Sequence, residues 1–304
     1  MNNHTTVPYF LLLGFSKNRR LQLLHFFVFF VLYLTTIMAN LLIILAVALN
    51  NQLHSPMYWF LMNLAVQDLG SVSVIVPKSM VNSLMDTRYI SYSGCVAQVF
   101  IFISFAASDL SLLTVMAYDR YVAICYPLHY EMVMNWNACN KIMILVWATS
   151  LFYGTMHTIG TFSILFCSNV VNQFFCEIPQ LLKLSCSGFN LIELGVLMAS
   201  VLAGIGCFNF IIASYIMIFK VMLRIPSEQG RQKALSTCVP HFIVVSMFLL
   251  TGYFAYLRPP SNTPSYLDFG VTVLYSLLPP LFNPIIYSMR NKNIRLVLSK
   301  QWKF

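Results

Sequence analysis

Seven apolar runs, each long enough to cross a bilayer, govern what this chain can become. They fall at about residues 24–49, 57–80, 96–125, 140–165, 192–222, 234–257 and 268–289. A hydrocarbon core is crossed by about 20 apolar residues in a helix, and backbone amides in lipid must be paired within the segment. No ten-residue alternation suggests barrel strands. Of the 304 residues 59% are hydrophobic and only 9% charged, against about 25% charged in a soluble domain. The expected fold is therefore an all-α membrane protein, a seven-helix bundle over residues 24–289. What remains is a tail at 1–23, short loops, a longer loop at 166–191 and a tail at 290–304. None of these could hold a soluble catalytic domain.

Orientation follows from Lys and Arg, which concentrate on the cytoplasmic side. Of the 18, Lys17, Arg19, Arg20, Lys78, Arg88, Lys183 and Arg258 flank one side and the rest, from Arg120 to Lys303, the other. The second side is expected to be cytoplasmic and the N-terminus extracellular, although Lys17, Arg19 and Arg20 pull the other way. A sequon, Asn3-His4-Thr5, makes Asn3 a glycosylation candidate on the outside. No apolar h-region precedes Leu24, so the first span is expected to act as its own targeting signal.

Four of the eight cysteines, Cys95, Cys167, Cys176 and Cys186, fall in the segments expected outside; Cys125, Cys139, Cys207 and Cys238 fall in or near the membrane or cytoplasm. An oxidising compartment favours disulfides, and the rival zinc site lacks a CxxC pair and a neighbouring His. Four cysteines allow three pairings; those that tie the long loop to the top of the third span would make it a lid.

The third span ends in Met116-Ala117-Tyr118-Asp119-Arg120-Tyr121-Val122-Ala123-Ile124-Cys125, followed by Tyr126-Pro127-Leu128-His129-Tyr130. Other segments accompany it in order: Leu53-His54-Ser55-Pro56-Met57-Tyr58-Trp59-Phe60-Leu61 leading to Asp68, then Ser214-Tyr215, Lys233-Ala234-Leu235-Ser236-Thr237-Cys238, and Pro280-Leu281-Phe282-Asn283-Pro284-Ile285-Ile286-Tyr287. With these motifs the whole chain resembles the vertebrate olfactory receptors, a branch of the rhodopsin-like G-protein-coupled receptors. The resemblance implies an odorant receptor in the plasma membrane of olfactory cilia. Its partners would be a small odorant and a stimulatory, olfactory-type heterotrimeric G protein, with cyclic AMP as the output. It also implies disulfides Cys95–Cys176 and Cys167–Cys186, and a switch at the cytoplasmic side made of Asp119, Arg120, Tyr121, Tyr215, Asn283, Pro284 and Tyr287.

The residues carry a physical reading of their own. Asp119 and Arg120 lie at the end of a long apolar helix, where an unpaired charge is costly and an opposite neighbour lowers that cost. Such a pair can serve as a latch in a two-state element. Asp109 precedes Asp119 by ten residues, about 15 Å of helix, which places it near mid-bilayer at the depth of Asp68. Two carboxyls there are expected to share a proton or bind Na⁺, with Asn283 as neutral neighbour; two separately protonated acids are the alternative. The olfactory family usually has Glu where Asp109 stands, which lengthens the reach a direct bridge must make.

Counting up the third helix from Arg120 puts Phe102, Ile103, Ala106 and Ala107 on its inward face near the lid. The resemblance adds Ser200 and Ala203 on the fifth helix, Gly252, Tyr253 and Tyr256 on the sixth, and Val273 and Ser276 on the seventh. This set is apolar with a few hydroxyls and no charge, which favours a small, neutral, largely apolar ligand. Departures from the family pattern are Phe248-Leu249-Leu250 for Phe-Tyr-Gly, Pro240 for Ser, Ala39 for Gly, and a first intracellular loop, Asn50 to Ser55, without Lys or Arg.

After the seventh span, Arg290, Lys292 and Arg295 interleave with Ile294, Leu296, Val297, Leu298 and Trp302, which suits a short amphipathic cytoplasmic helix on anionic lipid. The positive-inside bias accounts for the net charge of +9, so nucleic acid is not an expected partner. A transporter would show broken spans in matching halves and a polar path. An intramembrane enzyme would need a nucleophile with a base, or clustered metal ligands; His157 and His241 have no acidic partner in sequence. No enzyme activity and no cofactor beyond Na⁺ are expected.

Overall fold

A computed structural model of the chain describes residues 8–13, 18–186, 191–224, 228, 232, 235, 238–239, 241–248, 250, 266–290, 294 and 296–297, with side chains from 194 in the fifth span and over 269–287 in the seventh. Asn3, Pro240, Leu249, Gly252, Tyr253, Tyr256 and most of the 290–304 tail lie outside the described residues. The helices are α1 (Arg19–Leu49), α2 (Pro56–Met85), α3 (Tyr92–Cys125), α4 (Tyr130–Val133), α5 (Trp136–Phe162), α6 (Ile178–Leu182), α7 (Leu191–Arg224), α8 (residues 241–248) and α9 (Tyr266–Arg290). Six of them are long and apolar enough to cross a membrane among the described residues. α8 lies within the sixth expected span.

The helices begin where side chains can serve their free amides. Asn18, Ser91 and Asn135 accept from the backbone N–H of Arg20, Gly94 and Ala138, and Pro56 starts α2 at a position that needs no N–H. α2 ends at Asp86, whose φ of 53° is the left-handed conformation that stops a helix. Arg19 donates to the terminal carbonyls of Ser83 (3.0 Å) and Leu84 (2.5 Å), while Gln22 donates to the Asp86 carboxylate (2.7 Å). One of the basic residues that opposes the charge bias is thus engaged in capping the neighbouring helix, the favourable place for a cation. This also explains why α1 starts at Arg19, five residues before the apolar run.

α3 is the central helix, packed on α2, α5 and α7, while α1 and α2 pack on α9. Gly154 permits the close approach of α5: a Cβ there would overlap the Ser104 hydroxyl and come within 3.0 Å of the Phe100 carbonyl oxygen. Two apolar clusters fill the bundle, one at the Arg120 end around Leu64, Leu112, Met116, Ile211 and Val244, the other at the disulfide end around Val72, Ile75, Val99, Phe175 and Phe269. Ile294 and Val297 bury against the first, whereas Leu296 is exposed. Large apolar side chains such as Phe27, Val31, Leu202 and Phe219 point outward, as a lipid-facing surface requires.

The tail and lid carry structure of their own outside the spans. β1 (Tyr9–Leu12) pairs antiparallel with β2 (Tyr89–Ser91) and parallel with β3 (Val170–Val171), so residues before α1 form the middle strand of a small sheet. Phe10 is fully buried, with its ring against Tyr92 and Phe166. Of the three pairings open to the four lid cysteines, the structure forms Cys95–Cys176 and Cys167–Cys186.

Candidate functional site

A cavity of about 410 Å³ lies between α2, α3, α5, α7, α8 and α9, a size that suits a small ligand. Small side chains at Ala106, Ala107, Ala203 and Gly204 leave the space, and Phe102, Ile103, Leu110 and Phe248 make its apolar wall. Of the residues expected from the sequence, Phe102, Ile103, Ala106, Ala107, Ser200, Ala203 and Ser276 line it. Val273 does not. It stands three residues before Ser276, about 60° around the helix, and packs with the apolar cluster under the lid. Residues that sequence reasoning missed are Ser150 and Tyr153 on α5, Cys207 on α7 and Tyr275 on α9. Asp109 also lines the cavity, so its wall is not free of ionisable groups as expected.

The lid closes over this space through aromatic and polar contacts. Phe102 meets Phe175 edge-on at 5.3 Å and Tyr275 at 6.4 Å. The Tyr275 hydroxyl donates to Glu177 (2.5 Å), Gln173 donates to the Thr272 hydroxyl (2.6 Å), and the Cys176 N–H donates to Gln98 (2.8 Å). Below, His157 shares a hydrogen bond with Ser200 at 2.8 Å, which makes that histidine part of the wall's polar framework.

At the base of the cavity is the acid cluster. Asp68 is 1% exposed and accepts from Asn283 Nδ2 at both carboxylate oxygens, 3.2 and 3.0 Å. Asp109 Oδ1 and Asn283 Oδ1 have no hydrogen-bond partner among the described residues. Pro284 has no N–H, so the Pro280 carbonyl lacks its usual helical partner; Asn40 Nδ2 supplies one from α1 at 2.9 Å. The first and seventh transmembrane helices are thereby joined at the proline.

The remaining expected switch residues gather at the Arg120 end. Arg120 Nη2 lies 3.3 Å from Asp119 Oδ2, and both residues are buried. The Tyr130 hydroxyl donates to Asp119 Oδ1 at 2.7 Å. Burial and the Asp119 carboxylate raise the Tyr130 phenol above its ordinary pKa, which keeps the donor protonated. Tyr130 ends the motif that follows the third span, but its pairing with Asp119 was not legible there because α4, a four-residue helix, delivers it. Tyr215 hydrogen-bonds His241 Nδ1 across α7 and α8. Tyr287 is buried and its hydroxyl has no partner among the described residues. Tyr121 sits at the rim, its hydroxyl 3.4 Å from that of Tyr126.

A family model described as olfactory receptor matches residues 29–303. The chain belongs to the olfactory receptor family. Human olfactory receptor 14C36 is 49% identical over all of this chain and 97% of its own length, and human olfactory receptor 14A16 is 47% identical over 98% and 96%. Olfactory receptor 1G1 of Gorilla gorilla gorilla is 42% identical over 98% and 96%. Squid rhodopsin matches the fold with a TM-score of 0.73 at 17% identity, over 94% of this chain and 82% of that one. The protein is accordingly a multi-pass membrane receptor of the rhodopsin-like G-protein-coupled class. It is not an enzyme, and its family implies a small-molecule ligand and a heterotrimeric G protein as partners.

Proposed function

We propose that this olfactory receptor detects a small, largely apolar volatile in the cavity under the lid and activates a stimulatory, olfactory-type G protein, raising cyclic AMP. The observation that carries the reading is one helix: α3 lines the cavity with Phe102 to Ser111 and bears Asp119 and Arg120 at its far end. A ligand that favours one arrangement of the helices can bias the pair only through its differential affinity for the two arrangements. The lid and N-terminus face outside, with Asn3 glycosylated, and the Arg120 end faces the cytoplasm. Two disulfides at the lid end support this orientation, since they need an oxidising compartment. Olfactory cilia are the expected location.

Asp68, Asp109 and Asn283 supply buried oxygens that suit Na⁺ or a shared proton. Either would offset one of the two carboxylate charges and hold α2, α3 and α9 together.

The test is ligand-evoked cyclic AMP in cells that express the receptor, screened against chemically diverse volatiles. A response in the wild type that is lost in Arg120→Ala at equal surface level is expected; a response that persists without Arg120 refutes the switch. Asp68→Asn should abolish any sodium dependence of the response, and an unchanged sodium profile counts against the cation.

A further inference from the structure

The cavity's hydroxyls are for the most part already engaged. Ser111 donates to the Ala107 carbonyl (2.8 Å), Thr149 to Leu145 (2.8 Å), Ser276 to Thr272 (2.6 Å), Ser200 to Val196 (2.6 Å) and Ser71 to Asp68 (3.0 Å). These bonds lie within each residue's own helix, so they leave little directional demand on a ligand. Two groups differ. Asp109 and Ser150 both line the cavity, at 8% and 1% exposure, and Asp109 Oδ1 and Ser150 Oγ have no hydrogen-bond partner among the described residues. A buried polar atom left unpaired is costly, and an occupant able to pair both is favoured over one that pairs neither.

They also stand on helices packed directly against each other. Three contacts set α3 and α5 antiparallel: the Tyr92 and Phe162 rings at 5.4 Å, Gly154 against Ser104, and the Phe105 and Trp147 rings at 5.7 Å. Counting along both helices from these pairs puts the α5 residue level with Asp109 between 143 and 149, so Ser150 lies between one residue and two turns from that level. One unpaired acceptor and one unpaired hydroxyl thus line the same chamber from neighbouring helices, while its other serine and threonine hydroxyls are paired within their own helices.

We propose that the cavity selects small aliphatic alcohols: the ligand hydroxyl donates to Asp109 Oδ1 and accepts from Ser150 Oγ, while its carbon chain packs on Phe102, Ile103 and Ala203. This rests on the cavity being the receptor's ligand site. A hydroxyl can donate and accept at once. An ether only accepts and an alkane does neither. An ammonium only donates, and loses far more hydration on entering apolar walls.

Probes with seven heavy atoms separate these chemistries: hexan-1-ol, methyl pentyl ether, heptane and hexylamine. Their binding is read as a concentration-dependent melting shift of the full-length receptor in lipid nanodiscs. Choline chloride is the salt, because Na⁺ would draw on the same Asp109 carboxyl. Hexan-1-ol should half-saturate at a concentration about fivefold or more below that of the ether, the order of one neutral hydrogen bond. Ser150→Ala should weaken hexan-1-ol about fivefold and leave the ether unchanged. Asp109→Ala should do the same, with the preference restored by Asp109→Asn, which keeps a carbonyl acceptor. Equal half-saturation for alcohol and ether, hexylamine ahead of hexan-1-ol, no alcohol shift at all, or an unchanged preference in Ser150→Ala would overturn the assignment. The readout does not depend on coupling. Selective binding without cyclic AMP refutes the signalling proposal alone, and cyclic AMP without hydroxyl preference refutes the alcohol assignment alone.

Discussion

The two ends of the bundle are held together in different ways. At the lid end, a three-stranded sheet, two disulfides and hydrogen bonds from Gln173 to Thr272, from Tyr275 to Glu177 and from the Cys176 N–H to Gln98 fasten loop to helix. At the other end, α3 is restrained by one adjacent ion pair, a hydroxyl from Tyr130, and packing, with a separate bond between Tyr215 and His241. Covalent links constrain the chain whatever the helices do, whereas a few polar bonds can be exchanged for others of similar strength. The lid end is therefore tied covalently around the cavity, whereas among the described residues the Arg120 end is held by bonds that can be exchanged.

That contrast can be broken most severely at its covalent part. Cys95→Ala removes the bond from the lid to α3 and should cost about 2–5 kcal/mol, seen as loss of surface staining and of a cooperative melt in purified receptor. Asn40→Ala tests the junction between the ends, since it leaves the buried Pro280 carbonyl unpaired; about 1–3 kcal/mol of stability should be lost, read as a lower melting temperature. Tyr130→Phe removes one hydrogen bond from the Asp119 latch. About 1 kcal/mol should appear as a severalfold rise in basal cyclic AMP with little change in melting. Gln173→Leu, which removes the lid's bonds to Thr272 and the Phe174 N–H, should cost about 1–3 kcal/mol and leave basal cyclic AMP unchanged. A Gln173→Leu receptor with raised basal signalling would show that the lid end is as switchable as the other.

Much of this was legible in the residues. Apolar runs located the helices, because only a helix pairs its backbone within a segment that long in lipid. Asp68, Asp119 and Arg120 stood out because charge is scarce in the spans and expensive there. Phe102, Ile103, Ala106 and Ala107 followed from the helical repeat counted back from Arg120.

Other features had no local signal. Phe10 to Leu12 lie in a terminal tail, and only partners at Tyr89–Ser91 and Val170–Val171 make them a strand. Tyr130 stands in the motif after the third span, but nothing local joins it to Asp119 until a short helix turns it there. The pairing of four cysteines and the bond from Asn40 to Pro280, 240 residues away, depend on which helices become neighbours.

The sequence by itself determined that this chain spans a membrane, since apolar length and charge scarcity act through local physics. Tertiary structure decided that Asp109, marked by the sequence as a buried acid, also lines the cavity, as Ser150 does from α5. Where a side chain at mid-bilayer points depends on how the helices rotate and pack against one another, and no spacing within one helix contains that.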